Sequence, residues 1–195
     1  FFRDAHLFIG PVFIGLWSSE YGITEALHFG LNHAKPYFCV MTEKKGIAVL
    51  GSTGTMGTCA MEVIECNPDF FDLQVISAYS NSDLLIEQAL KFQPNNVVIG
   101  AEDEYRKVKE SLWNEDIHVY CGEEALSQVI ESTNIHTVFN ALKGYAGLKS
   151  SITAICAKKV MLVANRETLL VAGELISALA QKNGVNIYPL VPIQS

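Results

Sequence analysis

Charge is scarce in this chain: Asp, Glu, Lys and Arg make up 18% of its 195 residues, and the basic ones form no stripe. With a formal net charge of -7, that scatter argues against duplex nucleic acid as a partner, because phosphate backbones are held by clustered Lys and Arg. C-x-x-C spacing is absent as well. The five cysteines (Cys39, Cys59, Cys66, Cys121 and Cys156) are odd in number and widely separated, which suggests neither a disulfide framework nor a zinc site. They read as small core fillers in a reducing compartment, so a cytoplasmic location is expected. Long apolar runs are lacking too. Leu7–Trp17 contains Gly10, Pro11 and Gly15 and reaches about half of the ~20 residues that a membrane span requires. It has neither the basic start nor the small-residue cleavage site of a signal peptide, and no membrane partner is expected. Repeats and low-complexity stretches do not occur.

What is present is a globular composition, 49% hydrophobic, and one concentrated motif. Ile47–Gly57 reads IAVLGSTGTMG. Ile47–Leu50 has the character of a buried strand. Gly51, Gly54 and Gly57 form a turn too tight for side chains, and Thr58–Cys66 follows as a helix. A strand, a glycine turn and a helix N-terminus make an anion site, where free N–H groups and the helix dipole meet a phosphate. The spacing is G-x-x-G-x-x-G and not the dinucleotide G-x-G-x-x-G, yet its place after the first strand of an α/β unit points to nucleotide binding.

From Lys45 onward, strand-like and helical segments alternate. Strands are expected at Ile47–Leu50, Leu73–Ala78, Asn96–Ala101, Ile117–Tyr120, Thr137–Leu142, Val160–Ala164 and Asn186–Val191. Helices are expected at Thr58–Cys66, Ser82–Phe92, Glu102–Trp113, Glu123–Ser132, Leu148–Ala157 and Glu167–Asn183. In the second of these, Leu84, Leu85, Ala89 and Phe92 give an apolar face at helical spacing. This alternation predicts an α/β fold: a Rossmann-like, doubly wound, mostly parallel sheet with helices on both faces. Residues 1–40 do not share the pattern. They are rich in aromatics and glycine, and Met41-Thr-Glu-Lys-Lys looks like a natural start, so 1–40 is expected to be an appendage.

Three more features bear on chemistry. The second strand ends at Ser77-Ala-Tyr-Ser-Asn81 with no carboxylate at its tip. An NAD enzyme places Asp or Glu there to hold the ribose hydroxyls. Its lack favours NADP, although no Lys or Arg stands there for the extra phosphate. Gly144 and Gly147 follow the fifth strand, either to let backbone approach a ligand or as an ordinary loop. Asn165-Arg-Glu167 opens the last helix, as a ligand-facing triplet or as a plain cap with Glu167 favoured by the dipole. His118 and His136 read as structural.

In combination these clusters resemble the 1-deoxy-D-xylulose 5-phosphate reductoisomerase family, over about Lys44 to Pro189. Leu50-Gly-Ser-Thr-Gly-Thr-Met-Gly57 stands against the family's LGSTGSIG, and Leu162-Val-Ala-Asn-Arg-Glu167 against its ALANKE. Gly144-Tyr-Ala-Gly-Leu148, Leu84-Leu-Ile-Glu-Gln-Ala89 and Val171-Ala-Gly-Glu174 are also similar. The resemblance implies a domain that binds NADPH. Thr53, Gly54, Thr55 and Met56 would hold the pyrophosphate, and Tyr79, Ser80 and Asn81 the adenosine phosphate. Asn165 and Glu167 would lie on the cofactor side, and Arg166 stands where the family has a substrate-binding lysine. The implied reaction isomerises the sugar phosphate and reduces it with NADPH to 2-C-methyl-D-erythritol 4-phosphate, in the non-mevalonate isoprenoid route. The implied enzyme is a homodimer using Mg2+ or Mn2+.

The end of the chain departs from that pattern. Where the family reads LPVDSEHS, with metal-binding Asp and Glu, this chain has Val191, Pro192 and Ile193 at the Asp, Ser and Glu positions. A hard cation requires oxygen ligands. The domain organisation expected is therefore 1–40 as an appendage, 41–185 as the NADPH-binding domain and 186–195 as a truncated or degenerate start of the catalytic domain. Three functions remain open: part of a reductoisomerase, an NADPH-binding fragment inactive alone, or a Rossmann-like regulatory module.

Overall fold

The computed structural model describes residues 44–190. Seven strands and six helices alternate as the sequence predicts: β1 (Lys45–Leu50), α1 (Thr55–Cys66), β2 (Phe71–Ala78), α2 (Ser82–Phe92), β3 (Asn96–Ile99), α3 (Glu102–Ser111), β4 (His118–Cys121), α4 (Gly122–Ile130), β5 (Thr137–Asn140), α5 (Gly144–Cys156), β6 (Val160–Val163), α6 (Arg166–Asn183) and β7 (Ile187–Pro189). The strands form one sheet in the order β4-β3-β2-β1-β5-β6-β7. Every pairing among them is parallel. The expected Rossmann-like α/β architecture is what the chain adopts.

Alternation along the central strand divides the core. Ile47 and Val49 of β1 join Ala60, Met61 and Ile64 of α1, Leu85 and Ala89 of α2, and Val108 of α3 on one face. Ala48 and Leu50 join Leu126 and Ile130 of α4, Ala154 and Ile155 of α5, and Ile176 and Ala180 of α6 on the other. Burying both faces is why the strands read as continuous apolar runs. Each Val, Ile or Leu so buried contributes about 1.5–3 kcal/mol. A bulge between Ile47 and Ala48 skips Gln74 of β2, so Leu73, Ile76 and Ala78 share a face while Val75 turns to the other.

The order of the sheet matters most for function. From β1 the chain steps outward through β2, β3 and β4, then returns to β5 on the opposite side of β1. The winding reverses there, and a crevice opens beyond the carboxyl ends of β1 and β5. Open α/β sheets bind ligands at such a switch point. Two helices start earlier than the sequence spacing suggested. The first begins at Thr55, three residues before Thr58, and the fifth at Gly144, four before Leu148. Glycines read as turn residues, Gly57, Gly144 and Gly147, lie within these first helical turns. The last helix carries a kink, with Ala172 at φ -130°, ψ 19°.

Candidate functional site

Two loops border the crevice. The β1–α1 loop, residues 51–54, is pinned at its start: Gly51 and Ser52 N–H both donate to Ser77 O of β2, at 2.9 and 2.8 Å. Gly51 has φ +79°, a conformation that side chains resist. The β5–α5 loop touches it, for a Cβ on Gly51 would stand 3.1 Å from Ala141 O.

The three glycines of the motif turn out to do different jobs. At Gly57 a Cβ would lie 2.0 Å from Gly51 O and 2.6 Å from Ser52 Cα. That residue lets the first turn of α1 close onto the loop, and it serves folding. Gly54 is the helix N-cap, exposed, with φ -81° and ψ 167°. A Cβ there would meet only Gly51 O, at 3.4 Å. The sequence expectation that all three are needed for a tight turn is thus corrected: at Gly54 the fold has room, and the bare backbone leaves open space at the start of α1.

That helix start is chemically distinct. No side chain caps it and its first turn holds no acid. The first turns of α2, α3, α4 and α6 carry Asp83, Glu102 to Glu104, Glu123 with Glu124, and Glu167, respectively. Only α5, across the crevice, shares the lack of an acid in its own first turn, and there a carboxylate arrives from outside. Glu167 Oε2 accepts from Gly144 N–H at 2.8 Å. Among the helix starts of the described residues, α1 alone presents its N–H groups and positive dipole end without a carboxylate. Of these helix starts it is the one electrostatically suited to an anion.

The other residues singled out from the sequence fall into three groups. Thr53 and Met56 are half-buried and Thr55 is exposed, all at the α1 start. Tyr79, Ser80 and Asn81 are exposed at the tip of β2, beside that loop. The Tyr79 ring lies against Gly100, whose Cβ would stand 2.6 Å from Cδ2. Asn81 Oδ1 caps α2 by accepting from Leu84 N–H at 3.3 Å. Just behind, Lys107 Nζ pairs with Asp83 at 2.7 Å and sits 3.9 Å from Glu104. The hydrogen bond that Lys107 donates to Asp83 holds the Lys107 pKa above the ordinary lysine value. Asp83, the nearest acid to this tip in the sequence, thereby has its charge matched.

Asn165 is buried and works as a cap. Its Oδ1 accepts from Glu167 N–H at 2.8 Å and Thr168 N–H at 3.2 Å, while Nδ2 donates to Leu142 O. A Cβ on Gly147 would stand 2.4 Å from that Nδ2, so Gly147 makes room for Asn165 and not for a ligand. Asn140 completes the brace, donating to Gly147 O at 2.7 Å and accepting from Leu142 N–H at 3.1 Å. Asn165→Ala is expected to cost about 2 kcal/mol of stability, since it removes a cap and frees Leu142 O. Denaturant unfolding measures this; an unchanged midpoint would contradict the bracing role. Arg166 and Lys143 are exposed at this carboxyl edge and form no ion pair among the described residues.

Sequence reasoning missed Asn140, the Glu167–Gly144 bond and Gln88, which donates to Ser52 O from α2 at 3.0 Å. Gln88 could have been noticed as a polar residue on an apolar helix face, three and four positions from Leu85 and Leu84. His136 is structural, as read: its Nδ1 accepts from Gly46 N–H at 3.2 Å.

A divalent cation does not fit these residues. No group of three or more His, Cys, Asp or Glu stands together among the described residues, and Glu167 is committed to Gly144. The expected departure at Val191, Pro192 and Ile193 lies outside the described residues, as does the appendage at 1–40. No helix of the described residues is long and apolar enough to cross a membrane.

Known proteins share the sequence and the fold of this chain. The family profile of 1-deoxy-D-xylulose 5-phosphate reductoisomerase matches residues 47–173. The reductoisomerase of Phocaeicola vulgatus is 48% identical over 152 residues, covering 78% of this chain and 39% of the relative. That of Bacteroides thetaiotaomicron is 48% identical over 153 residues, covering 78% and 38%. The chain thus spans about two fifths of the length of these relatives. A solved reductoisomerase from Zymomonas mobilis in complex with NADPH matches with a TM-score of 0.72 at 28% identity, over 75% of this chain and 38% of that one. A DOX-P reductoisomerase in complex with NADPH, fosmidomycin and magnesium matches with a TM-score of 0.71 at 30% identity, over 74% and 36%.

Proposed function

Since the chain belongs to the 1-deoxy-D-xylulose 5-phosphate reductoisomerase family, we propose that it is the NADPH-binding part of such an enzyme. Residues 41–185 are the nucleotide domain in this reading, 1–40 are an appendage outside the family pattern, and 186–195 begin the catalytic part. The whole enzyme converts 1-deoxy-D-xylulose 5-phosphate to 2-C-methyl-D-erythritol 4-phosphate, as a cytoplasmic homodimer. The observation that carries the reading is the start of α1, uncapped, acid-free and opened by Gly54 at the switch point of the sheet.

The residues divide the work by position. The N–H groups of Thr55, Met56 and Gly57 take the pyrophosphate, with Thr53 beside them. Ser80 and Asn81 offer hydrogen bonds to the phosphate on the adenosine ribose, where a carboxylate would repel it. Asp83 does not oppose this, being paired with Lys107. When bound, NADPH supplies the hydride. Asn165 and Glu167 serve that side of the crevice by bracing the 141–144 loop, and Arg166 offers a cation for the sugar phosphate. Mg2+ or Mn2+ belongs to the remaining part of the enzyme, and no step here is assigned to it.

Calorimetric titration of the chain with NADPH and NADH tests the proposal. NADPH is expected to bind at least tenfold more tightly, the worth of one charge-assisted hydrogen bond of about 1.5–3 kcal/mol. A preference for NADH, or no binding by a folded sample, would overturn it. The same sample, given 1-deoxy-D-xylulose 5-phosphate and Mg2+ or Mn2+, is expected not to oxidise NADPH above the enzyme-free control. Substrate-dependent oxidation would mean that this chain carries a complete catalytic centre.

A further inference from the structure

We propose that Gln88 is a positioning residue for the pyrophosphate loop, fixing the Ser52 carbonyl so that the start of α1 faces a dinucleotide. The inference rests on the NADPH reading above and deepens it. Gln88 sits in the middle of α2, between Leu85 and Ala89 of the core, and is only 7% exposed. Its Nε2 donates to Ser52 O at 3.0 Å, across 36 positions of sequence. Its other amide atom, Oε1, is buried with no partner among the described residues.

A buried polar atom without a partner works against folding. Methionine would fill the same space on α2 without it. Core packing therefore does not account for an amide here, whereas the loop does. Ser52 is fully buried, and its N–H is already held by Ser77 O at 2.8 Å, with Oγ reaching the same oxygen at 3.4 Å. These bonds fix Ser52 from the β2 side only. Gln88 fixes its carbonyl, and with it the plane of the peptide leading to Thr53. Two residues further on, Gly54 is the N-cap of α1. Helix α2, which carries Gln88, also has Asn81 at its N-cap, beside Tyr79 and Ser80. One helix thus sets both the pyrophosphate loop and the adenosine end of the footprint.

The test compares the chain with Gln88→Met and Gln88→Glu. Methionine keeps the shape and loses both polar atoms; glutamate keeps the shape and cannot donate when ionised. Gln88→Met sheds the unpartnered Oε1 but leaves Ser52 O without its donor, so the unfolding midpoint is expected to change little, whereas NADPH is expected to bind about tenfold more weakly. Gln88→Glu is expected to bind at least as weakly. In the nucleotide-free Met variant, amide exchange at residues 52–57 is expected to quicken about tenfold. A lowered midpoint with unchanged affinity would make Gln88 merely structural and overturn the proposal. So would unchanged affinity and unchanged exchange. If the unsubstituted chain fails to bind NADPH, the nucleotide reading falls by itself, and the exchange rates then decide whether Gln88 holds the loop.

Discussion

Gly54→Val is expected to weaken NADPH binding at least a hundredfold while leaving the chain folded. The two halves of that expectation come from different measurements on one residue. Backbone at φ -81° and ψ 167° is extended and suits a β-branched side chain. The new Cβ would meet nothing closer than Gly51 O at 3.4 Å. Valine is a poorer N-cap than glycine, a difference of about 1 kcal/mol or less. The unfolding midpoint should therefore drop only slightly. The methyl groups, however, would stand over the N–H groups of the first turn of α1. Losing two charge-assisted hydrogen bonds of about 1.5–3 kcal/mol each is more than a hundredfold in affinity. Calorimetry and thermal unfolding of the same sample check both halves. Retained affinity would remove the pyrophosphate from this helix start. Loss of affinity together with unfolding would assign Gly54 to the fold.

Gly57→Ala should do the reverse. Glycine to alanine within a helix normally stabilises by about 1 kcal/mol. Here the added Cβ would lie 2.0 Å from Gly51 O and within 2.7 Å of Ser52 backbone carbon. Those are backbone atoms already held by Ser77, so they cannot step aside as a flexible side chain would. The close approach outweighs propensity, and a net loss of about 3 kcal/mol is expected in denaturant unfolding. An equal or raised midpoint would show that α1 can move off the loop. The pair separates two uses of glycine that sequence spacing presents as one motif.

That separation marks what the residues alone could and could not reveal. Element order and type were legible because burial on both sheet faces writes itself as apolar runs between amphipathic helices. The placing of the glycine loop was legible too, since a strand must lead into it and a helix out of it. Helix starts were not. Gly144 and Gly147 have the composition of a loop, and the first helical turn there is held by distant side chains, Glu167 on Gly144 N–H and Asn165 packed against Gly147. The triplet at Asn165–Glu167 admitted either a cap or a ligand contact. Its geometry is that of a brace, with Glu167 reaching back to Gly144 across 23 positions. Such a contact joins segments whose sequence neighbours carry no sign of one another. Gln88 was hidden for the same reason: its partner lies on a loop 36 positions earlier.

The place of β1 in the sheet has a consequence for how the molecule comes into being. β1 lies between β2 and β5, and Val49 pairs with Phe139 on the β5 side. A chain emerging from the ribosome makes its glycine loop early, yet one flank of the strand that supports it stays bare until residue 140 has followed. Until then β1 is an open edge, able to pair with any other strand it meets. The contacts that close it span about 90 positions and are slow to form. A partly synthesised chain with β1 to β4 in place would therefore be sticky, with only one side of the crevice built. The second side of the crevice would arrive in one late step, when β5 docks and the Ala141 N–H reaches Leu50 O.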